Sequence, residues 1–129
     1  MAKKKTVKNM IVMPNAVETE RELLAQIIMD NDVIDKVTPY LPNHSVFYDN
    51  FHANVWKGIN EIRKNGDETI DINTLMAEIP PSVGNASVGY ELTGITGSYM
   101  GSSNAISNAK IVYEKWLLRQ VIQSAEQVK

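Results

Sequence analysis

The residues able to do chemistry in this sequence are spaced poorly for it. Five glycines, at positions 84, 89, 94, 97 and 101, crowd one segment as they would in a phosphate-cradling loop. Such a loop needs a strand leading into it and a Lys followed by Ser or Thr directly after, so that amides, ammonium and hydroxyl converge on phosphate. No Lys follows any of these glycines, and the segment reads as a connection. His44 and His52 stand eight apart with Asp49 between them, outside any HExxH pattern. A helix starting near Asp49 leaves His44 outside it, so the two imidazoles share no face and no metal site is expected. His52, at the start of an apolar helix face, reads as a packed, hydrogen-bonded structural residue. Glu18, Glu20 and Glu22 could supply carboxylates for acid–base work, but acidic residues in a first helical turn already complement the helix dipole. With no cysteine there are neither disulfides nor thiolate ligands. No catalytic, cofactor-binding or metal-binding residue is therefore expected in this stretch of chain.

Phe47, Tyr48, Phe51 and Trp56 cluster as stacking platforms for a single strand would. Basic residues are not interleaved with them, and packing in a core, with His52 alongside, is the reading adopted for Tyr48 and Phe51. A formal charge of −2 and a pI near 5.7 argue against a domain that grips nucleic acid directly, since that footprint is usually basic. Lys3, Lys4, Lys5 and Lys8 precede a short IVM segment that is too small for a signal peptide's apolar region. Residues 1–13 are expected to form a disordered basic tail. No apolar run approaches the roughly 20 residues of a membrane span, and a cytoplasmic location fits the absence of cysteine.

These residues must be held by helices, because periodicity of strand type is nearly absent. Leu23, Leu24, Ile27 and Ile28 mark the inward face of a helix over 18–29 that Asn31 stops or caps. Val33, Ile34, Val37 and Leu41 suggest a short helix ended by Pro39 or Pro42. Phe51, Val55, Ile59 and Ile62 predict a longer helix closed at Asn65-Gly66. Asp71 can cap a helix carrying Ile72, Leu75, Met76 and Ile79, which Pro80-Pro81 terminates. Residues 82–103 read mostly as a Gly/Ser-rich loop, with one or two helical turns around Tyr90, Leu92 and Ile95. From 104 to 129 there is neither Gly nor Pro, and a single long helix follows, capped by Ser103 or Asn104. The expected architecture is all-α: a compact bundle of short helices over 14–103, then one long C-terminal helix over 104–129.

That last helix carries two apolar stripes. Ala105, Ala109, Val112 and Trp116 form one; Ile111, Leu118, Val121, Ala125 and Val128 form the other. Two adjoining stripes exceed what one small core needs, which makes 104–129 the expected oligomerisation element. Trp116 suits an interface and the chain's own core equally. Trp116, Leu117, Arg119 and Val121 are the residues expected to carry association.

Several segments together resemble the N-terminal domain of bacterial replicative DNA helicases of the DnaB type. Pro14, Glu18, Glu20 and the LLAQII run resemble that family's opening helix. Phe47-Tyr48 with His52 is similar to its FYxxxH element, and Ile70-Asp71 with Thr74-Leu75 to its IDxxTL element. Gly89-Tyr90 with Leu92 is similar to its Gly-Tyr segment. Ala109, Ile111-Val112, Glu114-Lys115, Leu118-Arg119 and Ile122 resemble its AxIVxEKxxLRxxI helix. The elements occur in the family's order from about Pro14 to the C-terminus.

The resemblance implies a helical bundle plus a hairpin, of which the last helix here would be the first arm. It implies pairing of hairpins into a dimer, hexamer assembly in the full-length parent, and docking of primase and, in some systems, a helicase loader. ATP and Mg would belong to a separate C-terminal motor domain with a Walker A loop; no cofactor is expected in this stretch. The other function class consistent with the residues is a free-standing, phage-type helical adaptor that binds a host replication protein.

Overall fold

A computed structural model of the chain describes residues 12–66, 68–81 and 87–127. Among them are six α-helices and no strand. The expected basic tail therefore lies almost wholly outside the described residues, as do 82–86 of the Gly/Ser-rich segment.

Helix α1, Val17–Met29, runs through the middle of the bundle. Leu23 through Ile28 are all buried, a run longer than one helical turn, so the helix is covered on every side over that stretch. It packs on α3 (Asn50–Lys64), α5 (Val88–Thr96) and α6 (Ala105–Gln127). Its polar members are satisfied internally. Gln26 donates to Gly101 O and Asn104 Oδ1, and accepts from Asn108 Nδ2 at 3.1 Å. This amide cluster ties the start of α6 to α1, because leaving any member unpaired would cost its full desolvation.

Asn31 does more than end α1. Its Nδ2 donates to the carbonyls of Ile27, Ile28 and Ile70, while its Oδ1 accepts from Ile70 N at 2.9 Å. The short helix α2 (Ile34–Val37) is a single turn flanked by 3-10 turns over Asn31–Val33 and Thr38–Tyr40, and Pro39 lies within the second. A proline ring disfavours the α conformation in the residue before it, which keeps this segment short.

In α3 the predicted face is buried: Phe51, Val55, Trp56, Ile59 and Ile62. Trp56 places its indole N–H on Leu41 O, so the largest core side chain leaves no polar atom unpaired. Gly58 lets α4 (Ile72–Glu78) approach closely; a Cβ there would stand 3.2 Å from Ile79 Cγ1. The chain leaves α3 through Gly66 at φ +117°, a conformation that disfavours a side chain. Asp71 and Thr74 form a reciprocal capping box on α4.

Helix α5 is longer than the one or two turns expected. Ser87 caps it by accepting from Tyr90 N, and Val88, Leu92 and Ile95, spaced i, i+4, i+7, are buried. Gly89 and Gly94 hide this helix in the sequence, because each glycine costs propensity that burial of the apolar face then overrides. Tyr90 itself is exposed rather than docked.

Candidate interaction face

Helix α6 has 23 residues, about 34 Å at 1.5 Å per residue. Only its first four turns touch the bundle. Ala105, Asn108, Ala109, Val112 and Arg119 are buried, and Trp116 packs half-buried against the core with its ring 5.8 Å from that of Tyr113. Beyond Arg119 no residue through Gln127 is buried. The two stripes predicted on this helix thus separate. The first faces the bundle; the second, with Ile111, Leu118 and Val121, faces outward, and Val121 is 65% exposed. Leu117 is exposed beside it. Leu117, Leu118 and Val121, with Glu114 and Lys115, line a shallow depression of about 400 Å³. Ala125 is exposed too, and Val128 falls outside the described residues.

Of the four residues expected to carry association, Leu117 and Val121 lie on the open face and Trp116 on the border. Arg119 requires a correction. It is only 6% exposed, and its guanidinium is spent on its own chain. Nη1 donates to Pro14 O at 2.9 Å, and Nη2 to Val46 O at 2.9 Å and, more loosely, to Ser45 O. The group also sits 5.3 Å from the centre of the Tyr48 ring. Burial lowers its pKa from the ordinary arginine value, and Glu20 and Tyr48 oppose that shift. A planar, always-charged fork can satisfy several carbonyls that face one point. Arg119 is therefore the clamp between α6, the segment before α1 and the turn before α3.

Tyr48, assigned to the core from sequence, is likewise corrected: it is exposed, as the platform beneath Arg119, whereas Phe51 and His52 are buried as expected.

Next to this clamp lies a polar junction that sequence reasoning missed. Glu20, 1% exposed, does not merely complement the dipole of its own helix. Its carboxylate crosses to the N-terminus of α3 and accepts from Tyr48 N at 2.6 Å, Asp49 N at 3.2 Å and His52 Nδ1 at 3.0 Å. Asp49 caps the same helix by accepting from His52 N. A carboxylate at a helix N-terminus satisfies orphan amides and meets the positive end of the dipole. The two backbone N–H bonds mark this carboxylate as an acceptor, and it faces the imidazole Nδ1 in the same role. No spacing signal links positions 20 and 52; only the crossing of α1 and α3 brings them together. Among the described residues no group of three or more His, Asp or Glu gathers as a metal site would, and no helix is long and apolar enough to cross a membrane.

The family model described as the DnaB-like helicase N terminal domain matches residues 12–114. The chain belongs to that family. A solved structure, the N-terminal domain of DnaB helicase from Mycobacterium tuberculosis, is similar over 91% of this chain and 84% of that one, at 26% identity and a TM-score of 0.81. No curated protein matches. The all-α bundle with its long last helix is the family's fold, and it places the chain in DNA replication as part of a replicative helicase. The family match ends at Glu114, so the open depression around Leu118 lies just past the matched stretch.

Proposed function

We propose that this domain is a non-catalytic scaffold of its helicase, joining copies of itself through the outer stripe of α6 and offering the bundle as a dock for primase and, in some systems, a loader. The observation that carries the reading is the exposed set Ile111, Leu117, Leu118 and Val121 on a helix whose last turns leave the bundle. Large apolar side chains aligned on one face of a soluble helix favour burial against a second surface. A second copy of the same helix supplies a self-complementary one, and two-fold pairing is the commonest closed arrangement. The ATP- and Mg-dependent motor belongs, in this reading, to a separate part of the helicase, and contact with nucleic acid belongs there as well. The formal charge of −2 supports that division of labour, and a cytoplasmic location fits a replication protein without cysteine.

Sedimentation across a concentration range tests the association. The chain is expected to dimerise, and Leu118→Glu to shift it to monomer with the helix content unchanged. A chain that stays monomeric at high concentration overturns the reading. So does a dimer that Leu118→Glu leaves intact.

A further inference from the structure

Asparagine followed directly by glycine occurs once in the sequence, at Asn65-Gly66. The pair closes α3: Asn65 is its C-cap, and Gly66 follows at φ +117°. Both residues are exposed. The Asn65 side chain makes no hydrogen bond among the described residues, so its amide carbon is free to approach the backbone that follows. The Gly66 nitrogen is held loosely, donating to Arg63 O at 3.3 Å, against 3.0 Å for the bond from Asn65 N to Ile62 O. For that nitrogen to meet Asn65 Cγ, the peptide between them must rotate from a ψ of 4°. Glycine permits the rotation, and the space around it is open, since a Cβ on Gly66 would meet nothing within 4 Å.

The fold treats the other described asparagines differently. Asn31, Asn54, Asn60 and Asn108 commit Nδ2 to carbonyl oxygens. Asn15, Asn43 and Asn104 are bonded at turns. Asn50 and Asn73 are unbonded, but they lie in the first turns of α3 and α4 and precede Phe51 and Thr74. There the helical backbone and the next Cβ keep the following nitrogen away from the side chain. Asn9 and Asn85 fall outside the described residues.

We infer that Asn65 is a site of spontaneous deamidation, a modification that ages the C-terminal end of α3. The Gly66 nitrogen loses its proton to hydroxide and attacks Asn65 Cγ. The N–Cγ bond forms, the Cγ–Nδ2 bond breaks, and ammonia leaves with a proton taken from water, which restores the hydroxide. The cyclic imide then takes up one water. Opening at Cγ gives aspartate; opening at the main-chain carbonyl gives isoaspartate, in which the chain runs through Cβ and Cγ. Either product sets a carboxylate at the negative end of the α3 dipole. Isoaspartate also adds one backbone carbon to the connection that leads to Ile70, whose N–H and C=O are both held by Asn31. No residue of α6 takes part, so the site stands or falls independently of the association proposed above.

The test is peptide mass spectrometry on the folded full chain, held for weeks at neutral and at mildly alkaline pH, with fragmentation to assign each position. Labelling by an isoaspartyl methyltransferase follows the second product. Asn65 is expected to convert several-fold faster than any other asparagine, to a mixture of aspartate and isoaspartate, at a rate that rises with hydroxide. Asn65→Gln keeps the glycine turn but carries one methylene too many for the five-membered ring, and is expected to abolish the labelling at unchanged helix content. Conversion in denaturant but not in the folded chain would show that the turn blocks the reaction, and would overturn the proposal. So would conversion spread evenly over several asparagines, a rate indifferent to pH, or labelling that survives Asn65→Gln.

Discussion

Two regions that meet at Arg119 and Tyr48 invert the usual distribution of residues. At the N-terminus of α3 the interior holds Glu20 and His52, both buried and paired with each other through His52 Nδ1. On the distal half of α6 the exterior holds Leu117, Leu118 and Val121. Burial of a charge is tolerated in the first because every donor around it is matched, so removing one partner strands the others. Leucine is exposed in the second because those side chains lie on the face of α6 turned away from the bundle. The first region stabilises the monomer; the second contributes little to it, and association through it is the proposal above.

The largest effect is expected at Glu20. Glu20→Ala strands two backbone amides and the His52 ring proton, and is expected to destabilise the chain by roughly 3–5 kcal/mol, as loss of one partner in a buried charged network does. Denaturant unfolding reads this directly, and a loss below about 1 kcal/mol would show that water replaces the carboxylate without penalty. Arg119→Ala is expected next, at about 2–3 kcal/mol, because several carbonyls lose a charged donor. Were Arg119 an interface residue instead, the unfolding of a dilute monomer would be unaffected and only dimerisation would weaken. Asp71→Ala removes one half of the capping box on α4 and should cost about 1 kcal/mol, with faster amide exchange confined to Ile72–Thr74. Val121→Asp closes the series. Its monomer stability should change by no more than about 0.5 kcal/mol, measured at low concentration, while self-association falls. A large loss of monomer stability there would place the outer stripe in the chain's own core and erase the contrast.

Much of the fold was legible in the chain. The periodicity of Phe51, Val55, Ile59 and Ile62, the stop at Gly66 and the cap at Asp71 all correspond to observed elements. Local signals suffice there, because a helix face and its caps are written within a few residues of one another. Helix α5 was legible only in part, since its glycines speak locally for a loop while its apolar residues speak for packing. The two stripes on α6 were readable as stripes, but not which of them would face the bundle. Arg119 illustrates the limit. On a helical wheel it falls with Ala105 and Val112 at heptad spacing, yet nothing local names the carbonyls that claim it, which come from positions 14, 45 and 46.

By itself, then, the sequence determined the helices, most of their ends, the family, and the presence of more apolar surface than one bundle uses. Those are properties of residues near one another in the chain, or of a pattern repeated in order along it. Only the tertiary structure decided which apolar stripe stayed outside, that Glu20 serves the N-terminus of another helix, and that Arg119 turns inward. Each depends on packing or hydrogen bonds between groups far apart in sequence, and such groups find one another only after the helices have crossed.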